Sequence, residues 1–98
     1  MDKHSILELL NVILNEVKLA ILRKEDVYYN EGYQKVVSET INMIETNQNI
    51  VTILDNIKEY HKDGELHPLS LFSNGEIDAS NEIIGIIYDY IGKDNYDE

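Results

Sequence analysis

The 98-residue sequence predicts an all-α fold, a small four-helix bundle with an irregular or short hairpin segment before the last helix. Three observations carry that prediction. Isoleucine, leucine and valine recur at spacings of three and four through three long blocks, the period of a helix with one buried face. The polar cluster Thr46-Asn47-Gln48-Asn49 between two of those blocks is short enough for an antiparallel helix turn. A fourth block, although rich in isoleucine, sorts its acids into one continuous stripe when projected on a helix. With 43% hydrophobic residues the chain can bury one core in spite of a net charge of −11, so residues 1–98 read as a single domain. The end, residues 93–98, is expected to fray.

The first helix is predicted over residues 5–23. Glu8, Asn11, Asn15 and Lys18 make a narrow polar stripe, and Ile6, Leu9, Leu10, Ile13, Val17, Ala20 and Ile21 lie opposite. Val12, Leu14, Leu19 and Leu22 widen the apolar arc beyond the ~100° of an ordinary surface helix. Such a helix is expected to pack on two sides, or against a second subunit through Ile13, Leu14 and Val17. Asp2 or Ser5 can cap its start, and Arg23 and Lys24 suit the negative end of its dipole.

A second helix follows Glu25-Asp26, with Asp26 or Asn30 as N-cap, and runs to about Glu45. Its stripe is Tyr29, Tyr33, Val36, Val37, Thr40, Ile41 and Ile44, and Gly32 weakens its first turn. The third helix carries Ile50, Ile53, Leu54, Ile57 and Tyr60 on one face and is expected to stop at Gly64 in a left-handed C-terminal cap. The helical period is lost over residues 65–77. Pro68 excludes a regular helix before it, and Ser73-Asn74-Gly75 offers a tight turn, so a hairpin and a single helical turn both fit. The last helix is predicted over residues 78–92, with Asp78 or Ser80 as N-cap, Glu82 in the first turn and Gly92 at the end. Asp78, Glu82, Gly85 and Asp89 form its polar stripe. Ile84, Ile87 and Ile91 lie opposite, with Tyr88 and Tyr90 at the two boundaries.

Charge bounds the function. Residues 63–98 hold nine acids against one base, Lys93, and such a surface repels phosphate backbones and anionic lipid heads. Direct nucleic-acid and membrane binding are therefore disfavoured, and a basic protein is the natural partner. No apolar run approaches the ~18 residues of a membrane span, and the N-terminus lacks the basic start of a secretion signal. The absence of cysteine suits a reducing compartment, so a cytoplasmic address is expected.

No catalytic residue, metal site or cofactor is predicted. There is no cysteine, no nucleophile elbow and no phosphate-cradling glycine loop, and carboxylate pairs are too abundant in so acidic a chain to mark acid–base chemistry. His61, Asp63, Glu65 and His67 alternate across a helix end, which suits a solvated turn better than a fixed ligand shell. The candidate binding residues are Glu76, Asp78, Glu82, Tyr88, Asp89 and Tyr90. Tyrosine offers contact area at low entropic cost, and the acids would steer a cationic protein. Gly85 within the stripe suggests a close approach, by another helix of the chain or by a partner.

In its size, acidity, helical pattern and tyrosines among carboxylates, with His67-Pro68 after the long helices and Glu76-Ile77-Asp78 leading into a final helix bearing Ile84, Ile87, Tyr88 and Ile91, the chain resembles the bacterial immunity proteins that neutralise colicin-type nuclease toxins. Leu69 to Phe72 stand where the nuclease colicin group carries a paired-tyrosine motif after His-Pro. The resemblance implies a protein-binding inhibitor that covers a basic toxin domain with an acidic helical surface. The alternative is a homodimeric structural or regulatory helical module, paired through the first helix and without catalytic activity.

Overall fold

A computed structural model describes residues 3–95, with side chains through Ile91, as four helices: α1 (Lys3–Leu22), α2 (Val27–Glu45), α3 (Ile50–Glu65) and α4 (Leu71–Asn95). The all-α bundle expected from the periodicity is the observed fold. α4 packs on both α2 and α3, while α1 packs on α2. The core they enclose is built from Ile6 and Leu10 of α1, Val36, Val37, Ile41, Met43 and Ile44 of α2, Ile53, Leu54 and Ile57 of α3, and Ala79, Ile83 and Ile87 of α4. Those positions follow the stripes of the second and third helices closely.

The joints explain where each helix stops. At the end of α1, Lys24 takes a left-handed conformation (φ 60°), and the N–H of Glu25 reaches the Ala20 carbonyl at 2.9 Å. The end of α2 repeats the device. Asn47 is left-handed (φ 58°), and the N–H of Gln48 meets the Met43 carbonyl at 3.1 Å. In both joints the last carbonyls of a helix are satisfied by the residues that turn away from it. Asp26 precedes α2 but is itself left-handed (φ 40°) and makes no side-chain cap, and Asn30 lies inside the helix, so neither acts as the expected N-cap. Asn49 does cap α3, its side chain accepting from the N–H of Val51 at 2.8 Å. Lys3 reaches Asn47 at 3.2 Å, which sets the start of α1 beside the end of α2. The alternative cap for α1, Asp2, lies outside the described residues.

The segment before the last helix departs from expectation. α3 runs through Gly64, which is not left-handed, and ends at Glu65. Only residues 66–70 connect it to α4, which begins at Leu71 and contains Ser73, Asn74 and Gly75 within helix. Ser70 is the true N-cap. Its hydroxyl accepts from the N–H of Ser73 at 3.2 Å, and its carbonyl from the N–H of Asn74 at 3.0 Å. Ser80 is buried in mid-helix and bonds the Glu76 carbonyl at 2.7 Å. α4 also continues past Gly92 to Asn95, so residues 93–95 extend a helix; residues 96–98 lie outside the described part.

Glycine accounts for the difference. A Cβ built on Gly75 would lie 1.9 Å from the carbonyl oxygen of Tyr29, and one on Gly32 would lie 2.0 Å from that of Phe72. Each carbonyl belongs to the residue three before the other glycine, so α2 and α4 cross with their backbones in reciprocal contact. Such a crossing suits short Cα–H···O contacts. Gly64 serves the α3–α4 seam in the same way, with a built Cβ 2.6 Å from Ile77 and 2.9 Å from the Ser73 carbonyl. These three glycines are selected for what stands in front of them, and none marks a turn.

Candidate functional site: an acidic face on the last helix

α4 presents Asp78, Glu82, Gly85 and Asp89 on its exposed side, spaced so that the row covers about 16 Å of helix at 1.5 Å per residue. Tyr88 stands at its edge with 48% of its surface exposed. The opposite side of the helix carries Ala79, Ile83 and Ile87 into the core, with Ile84 and Ile91 half-buried beside them. Tyr90 is half-buried and packs on the core cluster, so it supports the helix from behind.

Glu76 does not join this face. It is only 5% exposed, and its carboxylate meets the Lys35 ammonium at 2.9 Å. Two residues before Asp78, Glu76 lies about 160° around the helix from it and so falls on the core side. The Lys35 ammonium lies 5.7 Å from the ring centre of Tyr60 and 5.9 Å from that of Phe72, so two aromatic faces flank the ion pair. The bond to Glu76 raises the Lys35 pKa against the opposing effect of burial. Nearby, burial and then a hydrogen bond to Glu39 push the Tyr60 hydroxyl up to about 12.

The two N-terminal acids of the face are held by tyrosines from α2. The Tyr29 hydroxyl donates to Asp78 at 2.5 Å, and the Tyr33 hydroxyl donates to Glu82. Burial, followed by the bond to Asp78, pushes Tyr29 up to about 12, and burial with the bond to Glu82 raises Tyr33 as well. At neutral pH both phenols are therefore donors. A carboxylate offers about four lone-pair sites, so one fixed phenol orients each acid and leaves most of its acceptor capacity open. The result is a pair of pre-oriented, solvent-facing carboxylates.

This arrangement was partly visible in spacing. Tyr29 and Tyr33 are four apart on α2, and Asp78 and Glu82 are four apart on α4. Two matched pairs at one helical turn can meet rung by rung once the helices cross. The crossing itself has a local signal in Tyr29-Asn30-Glu31-Gly32 and Phe72-Ser73-Asn74-Gly75, each an aromatic residue three before a glycine. Lys35, Glu39 and Tyr60 carried no signal, because their pairing depends on three different helices.

Gly85 differs from the other described glycines. A Cβ there meets nothing within 4 Å, so no described helix takes advantage of its bare backbone. It sits exposed in the middle of the acidic row.

Elsewhere, a shallow groove of about 380 Å³ lies between α3 and α4, lined by Lys58, His61, Lys62, Glu65, Asn81 and Ile84. His61 bonds Glu65 at 2.8 Å along its own helix, and Asp63 and His67 are exposed. Among the described residues no three His, Cys, Asp or Glu side chains converge as a metal shell requires. No described helix is long and apolar enough to cross a membrane. Comparison with protein-family models, with curated proteins and with solved structures finds no match for the chain.

Proposed function

We propose that the chain is a protein-binding inhibitor of the immunity or antitoxin type, which holds a basic partner against the exposed face of α4. Asp78, Glu82 and Asp89 supply the charge, Tyr88 the aromatic contact, and Gly85 the space for a partner's backbone or side chain. Tyr29 and Tyr33 position the first two acids. Glu76 and Tyr90 act indirectly, by fixing the helix that bears the face.

The observation that carries this reading is Gly85. A glycine inside a helix costs roughly 0.5–1 kcal/mol relative to alanine. At positions 32, 64 and 75 that cost is offset by close helix crossings, whereas at 85 none of the described residues offsets it. A ligand that approaches the bare helix there would. Inhibition would be steric and electrostatic, by occlusion, without turnover.

The test is calorimetric titration against the basic proteins encoded beside its gene, using wild type, Glu82→Lys with Asp89→Lys, and Gly85→Ala. Both variants should bind at least tenfold more weakly while keeping the wild-type circular dichroism. Unchanged affinity for either one sinks the assignment of this face. A second reading, the homodimeric helical module, is favoured by a separate surface on α1.

A further inference from the structure

The first helix buries one apolar face and leaves four further apolar side chains outside, among the exposed Glu8, Asn11, Asn15 and Glu16. Ile6, Leu10 and Val17 are buried against α2, and Ile13 and Leu14 are half-buried on the same side, so the residues first expected to meet a second subunit serve the chain's own core. Leu9, Val12, Leu19 and Leu22 remain outside, 39%, 55%, 49% and 77% exposed. Val12 and Leu19 are seven residues apart and share one line along the helix, with Leu9 and Leu22 to either side.

Charge selects the occupant of this face. Residues 1–24 contain three acids and four bases, a net +1, while residues 25–98 contain sixteen acids and four bases, a net −12. Two copies of a chain of net charge −11 repel over most of their surfaces. The exception is α1, whose own residues, two acids and two lysines, sum to zero. A basic partner drawn to the acids of α4 has no such reason to choose α1. A second copy does, because there it buries leucines against a helix of zero net charge.

We propose that the outer face of α1 is a homodimer interface, in which the α1 helices of two copies pair antiparallel about a two-fold axis near the Asn15–Glu16 level. Antiparallel pairing centred there sets Val12 against Leu19 of the second copy and Glu8 against Arg23 of the second copy, each twice by symmetry. The contact is isologous, as two-fold interfaces must be. Leu9 and Leu22 flank the seam, and a groove of about 270 Å³ lined by Lys18, Ile21, Leu22 and Gln34 borders it. Four exposed apolar side chains per copy make a small interface, so the dimer is a weak one, with a dissociation constant on the order of 10 μM.

The experiment is sedimentation equilibrium of the full chain from micromolar to millimolar concentration, with circular dichroism as the control for folding. Wild type should pass from monomer to dimer. Val12→Lys with Leu19→Lys should remain monomeric with an unchanged spectrum. Glu8→Lys should weaken the dimer several-fold, Arg23→Glu likewise, and the two together should restore it. A wild-type chain that stays monomeric at millimolar concentration overturns the proposal, and so does a dimer that survives the double lysine variant. Failure of the charge swap to restore pairing overturns the antiparallel geometry. Because Asp89→Lys alters the α4 face alone, it should leave the dimer untouched whether or not that face binds a partner.

Discussion

Replacing Gly75 by alanine sets two effects of opposite sign against each other, and the structure decides which wins. The added methyl would sit 1.9 Å from the Tyr29 carbonyl, whereas real Cβ atoms essentially never come closer than 3.0 Å to such a neighbour. The obstacle is backbone within α2, so no rotamer change relieves it. α2 and α4 must part, and the core layers they share, with Val36 and Val37 on one side and Ala79 and Ile83 on the other, part with them. Overpacking of this kind costs roughly 1–3 kcal/mol, towards the upper end where the obstacle is backbone. Alanine returns about 1 kcal/mol of helix propensity. With the cost at the upper end of that range, the net expectation is a loss of about 2 kcal/mol, a fall in melting temperature of about 8–16 °C for a domain of this size. Gly85→Ala is the internal control, since it gains the same propensity and meets nothing. It should raise the melting temperature by about 4–8 °C. Thermal unfolding of both variants, followed by circular dichroism and calorimetry, measures the two shifts. A Gly75→Ala protein as stable as wild type refutes the reciprocal crossing, and a destabilised Gly85→Ala protein refutes the empty space on the acidic face.

Two further outcomes follow from the buried polar contacts. Tyr29 and Tyr60 are pushed up to about 12, and Tyr33 is raised too, in each case by burial first and by a carboxylate partner second. A phenol whose folded pKa is raised above its unfolded value of 10 keeps its proton longer when folded, so its stabilisation is complete below pH 10 and is lost as pH climbs towards and past 12. Ultraviolet phenolate titration should find Tyr29, Tyr33 and Tyr60 delayed, with stability to urea falling over the same interval; ordinary titration of these three refutes the three contacts. Lys35→Met should cost about 3 kcal/mol in urea denaturation, because it strands the Glu76 carboxylate, whose side chain is only 6% exposed. Adding Glu76→Gln should recover much of that loss, and a single variant within about 1 kcal/mol of wild type would show that the pair is immaterial.

Sequence periodicity read most of the fold because burial in α2 and α3 is one-sided. Val36, Val37, Thr40, Ile41 and Ile44 had to lie together whatever they packed against, and so did Ile53, Leu54 and Ile57. The acidic row was legible for the same reason, since Asp78, Glu82, Gly85 and Asp89 share a line on any helix that contains them. What failed was every inference that treated a glycine as local. Ser73-Asn74-Gly75 has the composition of a turn, and Gly64 has that of a cap, but both were chosen by a neighbouring helix that the local sequence does not contain. Glu76 misled for a related reason. With the last helix expected to begin only at Asp78, Glu76 lay off the projection; in a helix that starts at Leu71 it falls on the core side, where Lys35, forty-one residues away, bonds it. In α1 the wide apolar arc suggested packing on two sides, but within the chain the helix packs mainly on α2, and the division into an inner and an outer face depended on where α2 lies.

The two candidate surfaces are physically independent, which bears on what a dimer would do. α1 and α4 each pack on α2, and the two helices share no substantial seam with each other. Dimerisation therefore need not cover the acidic face, and a two-fold dimer would carry two copies of it. For a partner with two basic sites within reach, the second engagement becomes intramolecular, and avidity can exceed the single-site affinity by about 10²–10⁴ without a new contact. The neutrality of α1 then has a consequence beyond solubility. It concentrates the negative charge on the elements that face outward from the pair, so the field that attracts a cationic protein is strengthened by the association that the same field, spread evenly, would have prevented.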